Sequence, residues 1–149
     1  MRFVITASAG DTPANTDNHP INDPVKFRKM FTDYMRFNEE LHQAGVLIAS
    51  EGLNPGGQSA RIGVVNGRRA TLDGPFAESK ELIGGFYVIE VESLDEAISW
   101  AMRCPVGLGT DNLLEIRPLT EMKDIPAELL ALSHEVAPAW TASVTRPRT

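Results

Sequence analysis

A single cysteine, Cys104, stands in a chain of 149 residues, which excludes an internal disulfide and a cysteine-rich metal site. Histidine is scarce too. His19, His42 and His134 have no short spacing that resembles a metal motif, so neither a metal nor another cofactor is expected. No apolar run approaches the roughly 20 residues that cross a bilayer. Met1 to Ile5 is too short for a signal-peptide core and Asp11 follows soon after, so no membrane partner and a cytoplasmic location are expected. Basic charge is in deficit: 14 Lys and Arg against 20 Asp and Glu give a formal net charge of −6. Phosphate backbones need a basic face, so direct nucleic-acid binding is not expected. The small basic group Arg61, Arg68 and Arg69 falls at a predicted hairpin. The glycines of Glu51 to Gly57 and Gly107 to Gly109 precede no helix and match no phosphate-binding fingerprint, and they read as turns.

What is present suits one domain spanning residues 1–149, since 42% of residues are hydrophobic and 23% charged. Arg2 to Thr6 reads as a strand. Residues 7–23 form a polar loop, long enough to be a lid or a partner arm. Asp23 and Pro24 are an N-cap and first helical residue. Phe27, Met30, Phe31, Tyr34, Phe37, Asn38, Leu41 and Ala44 then recur at helical spacing until Gly45. Val46 to Ser50 is a second strand. Arg61 to Val65 and Arg68 to Leu72 flank Asn66-Gly67, a strong hairpin signal. Asp73-Gly74-Pro75 is turn chemistry pinned by Phe76, and Gly84-Gly85 stops any helix starting at Glu78. Phe86 to Val91 is apolar on both faces, as a central strand covered on both sides would be. Ser93 and Glu96 form a capping box for a helix ending at Pro105. Leu113 to Leu119 is the last strand and Ile125 to Val136 the last helix, capped by Asp124. Residues 137–149, with two prolines and three threonines, read as a mobile tail anchored at most by Trp140.

With the hairpin set aside, the order is strand, helix, strand, strand, helix, strand. This is the split βαβ pattern of α+β ferredoxin-like domains: an antiparallel sheet with helices on one face, plus an inserted β-hairpin and a C-terminal helix. The helix-free face needs cover. A homodimer about a twofold axis is the expected solution, with the last helix and Trp140 as the alternative.

Asp73-Gly74-Pro75-Phe76-Ala77-Glu78-Ser79-Lys80-Glu81 resembles the "DGPF" branch of the YCII-related domain family. The resemblance extends through Phe37-Asn38-Glu39-Glu40-Leu41, Ala44-Gly45-Val46-Leu47, Glu51-Gly52-Leu53, Gly84-Gly85-Phe86-Tyr87, Leu94-Asp95-Glu96-Ala97, Ala101-Met102-Arg103-Cys104-Pro105 and Glu115-Ile116-Arg117-Pro118. It implies a bacterial-type protein with a dimeric α+β barrel fold. In the wider family a His and an Asp suggest enzymatic function. Tyr34 stands where that His would align, and Cys104-Pro105 where the family tends to have Asp-Pro. The resemblance also implies association of some members with extracytoplasmic-function sigma factors.

The candidate chemistry gathers around the Asp73 loop. Asp73 is the candidate general base for isomerase- or lyase-like proton transfer, or else it caps its own turn. Tyr34 or Lys80 is the candidate polarising group; the competing reading of Tyr34 is a core tyrosine with a satisfied hydroxyl. Phe76, Glu78, Lys80 and Arg117 are candidate contacts to a small anionic ligand. The competing readings are a solvated charged loop for Glu78, Lys80 and Glu81, and a surface or intersubunit pair for Arg117 with Glu115. His19 is a lesser candidate in the lid loop, and Cys104 reads as a packing residue.

Overall fold

β1 (Arg2–Ser8) alternates, with Phe3 and Ile5 buried and Val4 and Thr6 facing the other way. A computed structural model describes residues 1–8, 22–54, 60–72, 83–105 and 113–144. Asp73, Phe76, Glu78, Lys80 and His19 lie outside the described residues. The sheet strands are β1, β2 (Leu47–Gly52), β5 (Ile83–Glu90) and β6 (Leu114–Pro118), in the order β2-β5-β1-β6 and antiparallel throughout. β5 separates β1 from β2, and β1 separates β5 from β6, so each βαβ unit is split as in ferredoxin-like folds. The remaining strands, β3 (Arg61–Val65) and β4 (Arg68–Leu72), pair only with each other. Asn66 and Gly67 take φ of 51° and 76°, the left-handed geometry that a two-residue hairpin turn requires.

α1 (Pro24–Gln43) starts where expected. The Asp23 carboxylate accepts from the N–H groups of Val25 at 3.0 Å and Lys26 at 3.2 Å. Those bonds, the one to Lys26 foremost, hold its pKa below the ordinary value. Gly45, at φ 72°, ends the helix. α2 (Leu94–Ala101) is capped by Ser93, whose hydroxyl accepts from the Glu96 N–H, while the Glu96 carboxylate accepts from Glu92 N–H. Both helices pack on one face of the sheet. Phe37 and Leu41 of α1 and Ala97 and Ala101 of α2 share a core with Phe3, Ile5, Tyr87, Ile89 and Val91.

β2 runs on through Glu51 and Gly52, which read as turn residues in the sequence, and α2 stops at Ala101, short of Pro105. Four further boundaries differ from expectation. β1 runs on through Ala7 and Ser8, because Ala7 pairs with both Gly85 and Leu114, so the long loop starts later. β5 starts at Ile83, and Gly84-Gly85 belong to it rather than breaking a helix. Gly85 is needed by close approach: a Cβ there would lie 2.8 Å from the Glu51 carbonyl oxygen on β2. The last predicted helix begins as α3 at Ala127 (Ala127–Val136). Asp124 closes a short 3-10 turn instead, accepting from the Glu121 N–H at 2.8 Å, and Glu121 accepts from the Arg2 N–H at 3.3 Å.

The fourth difference corrects the tail. Residues Pro138–Val144 form a further helix, α4, held by Thr141 and not by Trp140. Pro138 suits a first helical position. The fully buried Thr141 hydroxyl donates to the carbonyls of Ser133 at 3.0 Å and Ala137 at 2.9 Å, whereas Trp140 is 56% exposed. Neither α3 nor α4 adds a side chain to the sheet core. Trp140, offered as part of the alternative cover, is exposed rather than packed. On β5 the helix side (Tyr87, Ile89) is buried and the opposite side (Phe86, Val88) is half-buried.

Candidate functional site

Tyr34 stands on the face of α1 that packs on the core. One turn further along, Phe37 meets Tyr87 edge-on, with ring centroids 5.4 Å apart and planes at 84°, and Trp100 of α2 at 6.3 Å. Arg103 lies over the Trp100 ring at 4.6 Å and pairs with Glu40 on α1. This aromatic wall closes one side of a polar seam between α1 and the sheet. In the seam Ser50 of β2 is the cross-strand partner of Tyr87. Its hydroxyl bonds to Tyr87 and lies 3.2 Å from the Asn38 side-chain oxygen. Cys104, at the exit of α2, is buried beside both tyrosines, and its thiol points to the Pro105 carbonyl at 3.6 Å.

The electrostatics follow from burial. Desolvation pushes the Tyr34 hydroxyl up to about 12, and a thiolate at Cys104 would add to the rise. Burial raises Tyr87 further, with Cys104 adding and the Ser50 bond opposing. Burial alone takes the Cys104 thiol to about 11. All three groups are therefore neutral near pH 7. Tyr34 and Tyr87 are hydrogen-bond donors there and not bases, and Cys104 is not a thiolate nucleophile. The Tyr34 hydroxyl has no hydrogen-bond partner among the described residues. A neutral donor at the mouth of an apolar wall can polarise a carbonyl or carboxylate oxygen. It cannot by itself remove a proton.

Of the predicted site residues only Tyr34 and Arg117 lie among the described residues. Asp73, Phe76, Glu78 and Lys80 fall outside the described residues. Arg117 is on the opposite face of the sheet from Tyr34. It is the register partner of Val4, whose neighbours Phe3 and Ile5 point to the helices. Arg117 is exposed and sits 3.7 Å from Glu115, a surface pair that contributes little. A small ligand held by Tyr34 cannot reach Arg117 of the same chain across the sheet. Sequence reasoning missed Ser50, Asn38 and Tyr87 as a polar group. The signal was Asn38, a polar residue inside the apolar stripe of α1. Among the described residues no group of three or more His, Cys, Asp or Glu comes together to hold a metal ion, and no helix is long and apolar enough to cross a membrane.

The chain has relatives. The YCII-related domain family matches residues 1–123 of the chain, and the protein belongs to that family. An uncharacterized protein of Rhizobium meliloti (strain 1021) is 34% identical over 101 residues, covering 68% of this chain and 80% of the relative. The match ends before α3.

Proposed function

We propose that the protein is a small-molecule-binding homodimer whose ligand sits against Tyr34, with acid/base chemistry of the isomerase or lyase type. The supporting observation is Tyr34: its hydroxyl is neutral, it is unpaired among the described residues, and an apolar wall backs its half-buried ring. It would donate to a ligand oxygen on which negative charge develops. Tyr34 and Cys104 supply no base near neutral pH, so proton abstraction falls to Asp73, with Phe76, Glu78 and Lys80 as ligand contacts. The separation of Arg117 from Tyr34 removes Arg117 from this site within one protomer.

The test is a thermal-shift screen of small carbonyl and carboxylate metabolites. One chemical class should raise the melting temperature by several degrees at about 100 times its Kd, as ligand linkage requires. Tyr34→Phe should abolish the shift while leaving the unliganded melt near wild type. A screen in which no compound shifts the wild type overturns the reading. Asp73→Asn then separates catalysis from binding: turnover should fall while the shift persists.

A second reading is a non-catalytic regulatory module, in the cytoplasm, associated with an extracytoplasmic-function sigma factor. It draws on Leu94, Ile98 and Met102, which follow one another at four-residue spacing on α2 and are 48%, 41% and 83% exposed. Co-migration with such a sigma factor, lost in Ile98→Glu, would favour it over a ligand site.

A further inference from the structure

Among the described residues, the C-terminal arm adds no side chain to the helix-side core. α3 and α4 have 10 and 7 residues, too few for either helix to persist alone in water. Their seam is made of Leu130, Ser133, Ala137 and Thr141 and is locked by the two Thr141 hydroxyl bonds. The arm is therefore a preformed hairpin. Its other large apolar side chains point outward: Leu129, Leu132, Val136, Trp140 and Val144 are all between 43% and 74% exposed. Leu129, Leu132 and Val136 share one side of α3 by their spacing. None packs on the sheet core. An apolar patch of this kind on an otherwise solvated arm marks an interaction surface.

The same chain has a second apolar surface, half-buried within the single chain. Ala49, Val88 and Val4 form a row across β2, β5 and β1 on the helix-free face, with Phe86 beside them. Charged side chains flank this row: Arg2 and Glu90 opposite each other, Glu51 and Glu115 at the two edges. Four medium side chains within that charged rim fall short of the about 800 Å² per partner that a stable interface buries. The arm supplies the missing apolar area. It follows β6, an edge strand of the same sheet, so a copy seated on the open face lies within its reach.

We propose that α3 and α4 form a clasp. Each copy lays Leu129, Leu132, Val136 and Trp140 against a second copy of this chain, whose arm returns the contact about a twofold axis. This rests on the homodimer reading above and says which residues hold it. The family match stops at residue 123, so the clasp is an addition to the shared domain.

Sedimentation equilibrium on the full chain and two double variants tests this: Leu132→Gln with Trp140→Gln, and Leu129→Gln with Val136→Gln. All four side chains are half or more exposed in the single chain, so circular dichroism should stay that of the folded domain. The wild type should be a dimer, and each double variant should raise the dimer dissociation constant at least tenfold. A wild type that stays monomeric at every concentration overturns the dimer and the clasp together. A dimer of unchanged affinity in both variants overturns the clasp alone.

Discussion

Phe37 meets Tyr87 edge-on, and together with Leu41 it ties α1 to the central strand β5 where the core gives way to the polar seam. The Tyr87 ring is core, while its hydroxyl reaches Ser50 and, through it, Asn38. Packing and candidate chemistry therefore share one side chain.

Phe37→Ala should cost about 3–5 kcal/mol of stability, because it removes a buried ring and leaves a cavity between Tyr87 and Trp100. Phe37→Leu should cost less, since it restores part of the volume. Urea melts at a fixed pH measure both. A loss within about 0.5 kcal/mol for Phe37→Ala would mean that the ring is not the joint between helix and sheet.

Gly85→Ala should destabilise by roughly 2 kcal/mol or more, because the new Cβ meets the Glu51 backbone carbonyl at 2.8 Å. Gly52→Ala, on the facing strand, meets nothing within 4 Å and should stay within about 0.5 kcal/mol of wild type. Thermal denaturation of the two variants side by side reads the contrast. Equal effects would show that β2 and β5 are not so closely apposed.

Cys104 should be slow to alkylate. Its folded thiol titrates near 11 against an ordinary 9.0, so at pH 8 the thiolate is about a hundredfold scarcer than in the unfolded chain. Iodoacetamide labelling should therefore be at least that much slower in buffer than in denaturant.

Because the folded pKa of Cys104 is raised, its neutral form favours the fold fully below pH 9, and that contribution is lost as pH rises from about 9 to 11. Tyr34 behaves alike from about 10 to 12. Melting temperature should fall across this alkaline window, and Cys104→Ala should flatten its lower part. A Cys104→Ala profile parallel to wild type between pH 9 and 11 would remove the thiol from the account.

Thr141→Val should loosen the arm without touching the sheet. It deletes the hydroxyl that donates to Ser133 and Ala137, about 1 kcal/mol of local stability. Amide exchange in α3 and α4 should quicken, while exchange in β1 and β5 stays unchanged. Equal acceleration in the sheet would mean that the arm and the domain unfold as one unit.

Much of this fold is written locally. Asp23-Pro24 and Gly45 bound α1 by caps that act within one turn. Asn66-Gly67 dictates the hairpin because the turn demands left-handed φ at both positions. The capping box of α2 is equally local. Where local reading failed, a distant partner decided. Gly84-Gly85 look like a break until β2 is laid beside them. Pro138 and Thr141 look like tail composition until Ser133 offers a carbonyl. The Asp73 loop, prominent in the sequence, lies outside the described residues and is neither supported nor removed as a site.

By itself the sequence determined the element order as far as the last strand, the split βαβ plan and the family, because caps, turns and hydrophobic period act over a few residues. Only the tertiary structure decided that Tyr34 and Arg117 belong to opposite faces, that Asn38, Ser50 and Tyr87 share a seam, and that the last two helices stand off the core. Those facts depend on strand register and on hydrogen bonds between distant residues, and no local pattern carries them.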